Sequence, residues 1–597
     1  TLFRETTNLM ISTLPASEGD SVPPPRQIVP TTKVWVTLAS LMAAIALVRY
    51  GWLEVLVGDV IDQAVRNIIT LILAFTGLVS LFIWFLREST FQPRVKKSVT
   101  AFLVISVLLA LALLRIDGVS GDLVPQFAFR WQARRDALLP SAATIAKQTT
   151  NKNVSSGWTA TSDDFPRFLG PEGTASLDGI ELDTNWKANP PQCIWKRPIG
   201  AGWSGFATYG SHAVTLEQRG EDESITCYAL ATGEPEWAVS VPARHETVLG
   251  GIGPRSTPTV RDGVVYATGA TGWLHAIQGS TGKVLWRKDI VADLGIDRAT
   301  HAAAVAWGRS GSPLVTDKLV IVPAGGPRKA SDTQDVNDSN LDPATSPYVS
   351  LVAYDRTTGD RVWLAGTEQI AYASPQILSL NGQSAVITVN EGHIAAYDLP
   401  TGDQLWECEW PGHSNSDASC SQPHLLDASK LFISKGYGIG SAVFSLTNTG
   451  GVWSIEPIWR QSNLLKTKFT NVAIYNGYAY GLSDGILECV QLSSGTRMWK
   501  QGRYGQGQLL RVGDVLLIQA ESGEVVAVQA THEKPTVLAR LTALDGQTWN
   551  TLCVSGTNLL VRNAEEAACY EVSIRRNTAR RKAALPEDAT QQNKKGE

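Results

Sequence analysis

A chain of 597 residues, of which 44% are hydrophobic and 18% charged, is long enough to bury a large core. The net charge of −4 provides no basic field of the kind that binds nucleic acid, so we expect no nucleic-acid partner. Nineteen Trp and 52 Gly against three Met favour many short strands and tight turns over a helical bundle.

The N-terminal region predicts a membrane anchor. Residues 1–33 are polar and Pro-rich, without the apolar stretch of a cleavable signal peptide, and we expect a cytoplasmic N-terminus there. Three uncharged apolar segments follow: Val34–Val48, Asn67–Leu86 and Ser98–Leu114. Three such segments in a row, separated by short charged loops, predict a three-helix membrane anchor over residues 34–115.

Basic residues set the expected orientation of this anchor. Arg87, Arg94, Lys96 and Lys97 lie between the second and third segments, so that loop is predicted to be cytoplasmic. With three spans, everything after Leu114 would then lie outside. We therefore expect a multi-pass protein of the bacterial inner membrane whose large C-terminal part faces the periplasm.

The rest of the chain divides by composition. Residues 116–164 are predicted to be a linker with a short helix and a flexible polar end. Residues 165–574 read as strands and turns, and residues 575–597 as a disordered polar tail.

One short phrase recurs five times within the strand-rich region, and in each copy a Gly lies four residues before a Trp. The residue before each Gly is Thr or Ser, which together with Gly favours a tight turn between two strands. We expect the Trp to pack either on the strand before it or on the next unit. The pairs are Gly233/Trp237, Gly282/Trp286, Gly359/Trp363, Gly402/Trp406 and Gly495/Trp499.

A repeating hairpin cannot bury its apolar face alone, so we expect radially arranged units of about 40–45 residues, the length of one propeller blade. The strand Cys193–Gly200 has no hairpin partner upstream. We predict that it completes the last blade beside C-terminal strands and closes the ring. The predicted fold is thus an all-β eight-bladed propeller preceded by three transmembrane α-helices. Seven blades is the alternative if Val443–Trp459 is not a blade.

Candidate ligand-binding residues follow from this fold, because propellers bind ligands on the loops that lead into their innermost strands. These loops carry aromatic and cationic side chains that would suit an anionic or planar ligand. The alternative for each is that it caps a blade or faces solvent. The candidates are Trp203, Arg255, His301, Trp307, Arg309, Tyr372, His413 and Lys468. No known catalytic motif assigns a catalytic residue.

The evidence for metal sites and disulfides is weaker. An insertion holds Asp332, Asp335, Asp338 and Asp342, but an EF-type calcium loop starting at Asp338 would place Pro at its sixth position, so a solvated loop is favoured. No CxxC motif occurs among the seven Cys, and no structural zinc site is expected. Cys227 and Cys489 are interpreted as small core residues. Cys408 and Cys420 could pair in an oxidising compartment; the sequence leaves this open.

The phrase AxDxxTGxxxW resembles the pyrroloquinoline quinone (PQQ) repeat, which builds the eight-bladed propellers of quinoprotein alcohol dehydrogenases and of the assembly lipoprotein BamB. The opening FPRFLGPEGTAS is similar to PQQ-repeat propeller proteins of the membrane-attached kind found in planctomycete-type bacteria. Catalytic members of the fold carry a vicinal Cys–Cys disulfide, a calcium-binding Glu/Asn set and a base Asp. This chain has no Cys–Cys pair.

Two functions are compatible with this resemblance. The first is a membrane-anchored extracytoplasmic scaffold, BamB-like in fold, with the membrane and a periplasmic protein as partners and no cofactor. The alternative is a PQQ-dependent dehydrogenase that binds PQQ and Ca²⁺ and is linked to the membrane. We favour the scaffold because it requires only the repeats and the anchor.

Overall fold

The computed structural model describes residues 29–50, 62–149, 158–328, 342–380 and 382–576. The chain divides into two units. The first consists of Thr1–Tyr50 and Ile69–Ala110, and the second of Gly51–Ile68 and Leu111–Glu597.

Three long helices correspond to the three predicted apolar segments: α1 (Thr32–Arg49), α2 (Gln63–Arg87) and α3 (Pro93–Leu113). Their apolar windows have mean hydropathies of 1.5, 2.5 and 1.9, and each helix is long and apolar enough to be a candidate membrane span. Large apolar side chains along them are exposed, as expected for helices that face lipid. The first turn of α2, up to Ile68, belongs to the second unit.

Eight blades, each built on four antiparallel strands, form the propeller of the second unit, which confirms the predicted fold. The first strands of neighbouring blades approach one another, so the first strand of each blade lies nearest the channel. In blades one to seven the four strands run in chain order from the channel outwards. Blade one consists of Ala207–Tyr209, His212–Arg219, Asp222–Ala229 and Pro235–Pro242; blade two of Thr259–Arg261, Val264–Thr268, Trp273–Gln278 and Lys283–Asp289; blade three of Leu314–Val315, Leu319–Gly325, Val349–Asp355 and Arg361–Ala365; and blade four of Gln376–Leu380, Gln383–Val389, His393–Asp398 and Gln404–Glu409. Blade five consists of His424–Asp427, Lys430–Lys435, Gly440–Thr449 and Val452–Gln461; blade six of Ala473–Tyr475, Tyr478–Ser483, Ile486–Gln491 and Thr496–Arg503; and blade seven of Gln508–Val512, Val515–Gln519, Glu524–Gln529 and Val537–Thr542.

Blade eight closes the ring as the sequence predicts. Its three inner strands come from the C-terminal side of the chain, and its outermost strand, Gln192–Pro198, comes from the start of the propeller. Trp195 lies opposite Cys569 in this antiparallel pair. The inner strands are Cys553–Ser555, Asn558–Arg562 and Glu566–Glu571. The unit that contains Val443–Trp459 is a complete blade, which decides between seven and eight.

In five of the eight blades, the Trp of the outermost strand packs on the turn of the next blade. A Cβ added to Gly282 would lie 2.8 Å from the ring of Trp237, and the indole Nε1 of Trp237 donates to the carbonyl of Gly279 at 2.6 Å. Gly282 also has a φ of +70°, which favours glycine. The same packing occurs at Gly233/Trp195, Gly359/Trp286, Gly402/Trp363 and Gly495/Trp459. The repeated phrase is therefore the joint between neighbouring blades.

A buried arginine joins blade eight to blade one. The guanidinium of Arg562 donates to Thr215 Oγ1 at 2.6 Å and to the carbonyl of Gly200 at 2.8 Å. Glu217 is also fully buried at this seam and accepts a hydrogen bond from Arg219 Nε at 2.9 Å. Burial alone would raise the pKa of Glu217, but the positive charges of Arg219 and Arg562 hold it below its usual value.

The region expected to be a linker contains ordered elements in its described part. A hairpin, Leu114–Val119 with Pro125–Phe129, follows α3. A 3-10 turn at Arg135–Leu138 and a helix, α4 (Ala142–Thr149), come next. Asp136 pairs with Arg244 of the propeller at 2.8 Å. This part of the chain is thus bound to the propeller.

A few short helices and strands occur in addition to the four strands of each blade. Two helices, α5 (Ile290–Asp293) and α6 (Arg298–Ala304), lie between blades two and three. Ser176–Leu177 adds to blade seven, and the pairs Glu246–Thr247/Gly251–Ile252 and Ile180–Leu182/Ile574–Arg576 form two-stranded sheets. Residues 1–28 of the predicted cytoplasmic N-terminus, 150–157 of the predicted flexible linker and 577–597 of the predicted tail lie outside the described residues.

Candidate functional site

A cavity of about 400 Å³ lies at the end of the channel where the chain enters the innermost strands. Every blade contributes to its wall, because the loop that precedes each first strand points toward the channel axis. One lining residue from each of blades one to eight is Trp203, Arg255, Trp307, Tyr372, Cys420, Lys468, Gln508 and Trp549.

Two segments from the N-terminal side of the chain cover part of this cavity. Residues 62–68 contribute Asp62, Ala64, Val65 and Ile68, and the turn of the first hairpin contributes Ser120, Gly121 and Leu123. The amide of Gln63 donates to Asp484 Oδ2 at 2.9 Å. The amide of Gly121 donates to Glu521 Oε1 at 2.6 Å. The mouth is therefore partly covered by the chain itself.

Lys468 is the centre of an ion-pair group under this cover. Its Nζ lies 3.0 Å from Asp62 Oδ2 and 3.7 Å from Asp484 Oδ1, and its side chain is almost fully buried. Asp122 lies nearby, and burial together with the negative charges of Asp484 and Glu521 raises its pKa. The charge of Lys468 is thus already balanced by carboxylates of the chain.

Arg255 differs from Lys468 because, among the described residues, it has no carboxylate partner. Its guanidinium donates to the carbonyl oxygens of Gly250 and Gly253, the latter at 2.9 Å. Burial without a counter-charge lowers the pKa of Arg255 to about 10. The cavity therefore holds one positive charge that an anionic group could balance.

Aromatic rings form most of the remaining wall. Trp203 and Trp549 lie with ring centres 4.7 Å apart, and Phe469 lies 5.0 Å from Trp549. On the opposite side, Trp307 and Tyr372 stack at 5.2 Å. A wall of rings around a single guanidinium can hold a flat or apolar group with a negative charge.

Five of the eight candidate residues line this cavity: Trp203, Arg255, Trp307, Tyr372 and Lys468. The other three do not. His301 lies on α6, where burial lowers its pKa to about 3 and its Nδ1 lies 2.9 Å from the carbonyl of Gly326. Arg309 is buried against a strand of blade three, with a 2.7 Å bond to the carbonyl of Pro323. His413 is half exposed and lies 3.8 Å from Glu391.

Several lining residues were absent from the sequence-based set. Trp549 lies in the entry loop of blade eight, so the rule that identified Trp203 would also have found it. Tyr437 comes from a turn between the second and third strands of blade five. Residues 62–68 come from the start of a predicted membrane helix, and nothing in the local sequence indicates that they reach the channel.

Comparison with known proteins gives a consistent family signal. The family model for the outer membrane protein assembly factor BamB matches residues 221–501. BamB of Yersinia pestis is 25% identical over 327 residues, which are 54% of this chain and 70% of that protein. BamB of Xanthomonas campestris pv. campestris is 26% identical over 365 residues, or 47% of this chain and 82% of that protein.

The chain carries a PQQ-repeat, BamB-like β-propeller. Among solved structures, BamB from Moraxella catarrhalis aligns with a TM-score of 0.44 and 14% identity, over 64% of this chain and 99% of that one. Quinohemoprotein alcohol dehydrogenase from Comamonas testosteroni aligns with a TM-score of 0.44 and 12% identity, over 72% and 84%.

The wall of this cavity does not fit the calcium ion that accompanies PQQ in the quinoproteins. Calcium takes six to eight oxygen ligands, usually with several carboxylates. Among the described residues of the cavity wall, Asp62 is the single carboxylate, and it is paired with Lys468.

The structure describes the remaining predicted sites, the weak metal candidates and the cysteines, only in part. Of the weak metal candidates, Asp332, Asp335 and Asp338 lie outside the described residues, and Asp342 accepts a hydrogen bond from the amide of Ala344 at 2.8 Å. All seven cysteines are unpaired, Cys408 and Cys420 included.

Proposed function

We propose that this chain is a membrane-anchored scaffold that holds a BamB-like propeller on the periplasmic side of the inner membrane and binds a partner protein there. The observation that carries the proposal is the covered mouth of the channel. Enzymes on this fold would need substrate access at that end, whereas here residues 62–68 and 120–123 cover part of it.

The charges in the cavity support the same conclusion. Lys468 is paired with Asp62 and Asp484, and the wall is mainly aromatic and aliphatic.

Blade five offers an accessible surface for a partner. Its two outer strands, Gly440–Thr449 and Val452–Gln461, are the longest pair in the ring. The second strand of the blade pairs only as far as Ser445, so the hairpin continues beyond it up to the pair Thr449/Val452. Val452 at the tip is 73% exposed. An extended hairpin with an apolar tip is a suitable anchor for another protein.

The curated relatives support a role in protein assembly, because they are named as outer membrane protein assembly factors. Residues 62–68, at the start of the second span, belong to the same unit as the propeller. This agrees with the orientation expected from Arg87, Arg94, Lys96 and Lys97, which puts both the first interhelical loop and the propeller outside.

Site-specific photo-crosslinking tests the proposal. A photoreactive residue at Val452 in cells of the source species is expected to give one discrete adduct with a second protein. The same residue at Lys283, exposed on the outer strand of blade two, serves as the matched control and should give none.

The absence of an adduct from Val452 would contradict the scaffold. So would enzymatic turnover. Purified full-length protein supplied with PQQ and Ca²⁺ is expected to show no dye-coupled oxidation of alcohols or sugars. Saturable turnover would establish the quinoprotein alternative instead.

A further inference from the structure

Three side chains that commonly bind metals meet on one face of blade one, away from the cavity. His212 Nδ1 lies 2.6 Å from Glu236 Oε2, and Cys227 Sγ lies 3.5 Å from the same oxygen. The three donor atoms all lie within 4.8 Å of one another. Among the residues that the structure describes, this is the one group of three or more His, Cys, Asp and Glu with donor atoms so close.

The strand register explains how these residues meet. His212 begins the second strand of the blade, and Cys227 lies on the third strand opposite Trp237. The register shifts beside Cys227, so that Glu236 is the extra residue of a β-bulge. The bulge brings the Glu236 carboxylate to the imidazole and the thiol.

Comparison of the eight blades shows that the fold does not require this set. Each of the other seven blades has Ile, Leu, Val or Met as the bulge residue, for example Leu285 in blade two. The position of His212 is Val264 in blade two and Val515 in blade seven. The position of Cys227 is Ala in blade two, where the residue is Ala276.

Cysteine alone at this position is not distinctive. Cys489 in blade six and Cys569 in blade eight occupy the equivalent place, opposite Trp499 and Trp195. Their blades carry Met498 and Ile194 at the bulge instead of a carboxylate. The combination of imidazole, thiol and carboxylate is therefore specific to blade one.

Aromatic rings cover the group. Trp158 stacks on His212 with ring centres 4.7 Å apart, and it also contacts Trp237. The Trp158 ring occupies the space next to Gly279 of blade two, where a Cβ would lie 2.1 Å from it. His212 and Cys227 are fully buried, while Glu236 keeps some contact with solvent. A partly closed site with one exposed ligand lets an ion enter and then shields it.

The chemistry of the donors indicates the ion. Thiolate, imidazole and carboxylate together are typical ligands of Zn²⁺, which binds them at about 2.0–2.3 Å in tetrahedral geometry. Donors around such an ion lie about 3.5 Å apart, so the His212–Glu236 hydrogen bond must open slightly.

We propose that His212 Nδ1, Cys227 Sγ and a Glu236 carboxylate oxygen bind one divalent cation of the zinc type, with water as the fourth ligand. The site is independent of the scaffold function proposed above.

Titration with Co²⁺ tests this assignment, because a cobalt–thiolate bond gives a strong near-ultraviolet absorption band. Metal-free full-length protein without an affinity tag is expected to bind one Co²⁺ per chain with this band, and Zn²⁺ should displace it. Cys227→Ala should abolish the band. His212→Val and Glu236→Leu should each weaken Co²⁺ binding at least about tenfold.

The variants carry residues that other blades already have at the same positions, so each is expected to fold, as unchanged circular dichroism would verify. If one fails to fold, the other two still test the site. Cys489→Ala is the matched control and should leave the band intact. Wild-type protein without a saturable band, or a band that persists in Cys227→Ala, would overturn the proposal.

Discussion

Gly282 illustrates how a residue without a side chain joins two blades. Gly282 has a φ of +70° and Gly263 has nearly the same φ, +74°. Both residues lie in blade two. A Cβ on Gly282 would lie 2.8 Å from Trp237, whereas a Cβ on Gly263 would have nothing within 4 Å. A side chain added at Gly263 would therefore cause backbone strain alone. One added at Gly282 would cause the same strain and also crowd the joint between blades.

We expect Gly282→Ala to destabilise the protein by about 1–3 kcal/mol more than Gly263→Ala. Both substitutions place Ala at a positive φ, but only the first must also displace the indole of Trp237. Urea or thermal unfolding of the two variants measures the difference. Equal losses would mean that the Trp–Gly contact does not couple the blades.

Buried histidines give the propeller a predictable sensitivity to acid. His424 is buried with no hydrogen bond to Nε2 in the described structure, and burial lowers its pKa to about 4. In the unfolded chain its pKa is about 6.5. The folded state therefore resists protonation of His424, so stability is fully present above about pH 6.5 and falls as the pH drops toward 4.

The stability of the wild type should fall by up to roughly 1.4 kcal/mol per pH unit in this window from His424 alone. Denaturant unfolding between pH 7 and 4 checks this. His424→Gln should show a shallower dependence than the wild type, in which His245, His275 and His301 act in the same direction. Parallel curves for the two proteins would refute the assignment.

At the scale of secondary structure, the seam between blades eight and one depends on Arg562. Its fully buried guanidinium donates to four groups of blade one and its entry loop: Thr215 Oγ1 and the carbonyls of Leu216, Gly200 and Gly202. Removing it leaves those carbonyls unpaired and takes away a charge that helps to keep Glu217 ionised.

Arg562→Met is expected to cost about 3–5 kcal/mol. The control, Arg540→Met, removes a half-exposed ion pair with Glu524 in blade seven and should cost about 1 kcal/mol or less. Chemical unfolding followed by tryptophan fluorescence compares them. Comparable losses from both variants would show that the seam has no special role.

The ring could be predicted from the sequence because its signals are local. The Gly and Trp spacing indicates each joint, and the unpaired strand at Cys193–Gly200 indicates closure. The sequence left open whether the Trp packs backwards or forwards, since that depends on the angle between blades. Five cavity residues, including Trp203 and Arg255, followed from the rule on entry loops.

The remaining site features depend on contacts that no local pattern encodes. His301 lies in an entry loop, but the loop folds into α6 and directs the imidazole toward Gly326. Asp62 meets Lys468 across most of the chain length. The group at His212 and Glu236 requires the strand register and a bulge, so the spacing rules for zinc motifs do not detect it.

At the scale of the whole molecule, the predicted topology can be measured on a native residue. Cys193 on the outermost strand of blade eight is exposed, and the other six cysteines are buried or partly buried. Thr90 lies exposed in the loop between α2 and α3. The predicted topology places the two positions on opposite sides of the membrane.

A maleimide that reaches the periplasm but does not cross the inner membrane is expected to label Cys193 in intact cells. In a Cys193→Ser background, Thr90→Cys should react only after the inner membrane is permeabilised. Labelling of Thr90→Cys in intact cells, with Cys193 protected, would reverse the orientation.

Blade eight combines strands from both ends of the propeller sequence, and this affects how incomplete copies of the protein are recognised after synthesis. Gln192–Pro198 is made early, and its partner Glu566–Glu571 is among the last propeller strands to be made. A copy truncated or cut before Glu571 is thus not a smaller ring but an open one, with Trp195 uncovered. In such a copy Gln192–Pro198 lacks its partner strand, and proteases can recognise an unpaired strand edge, so only complete copies present a closed ring.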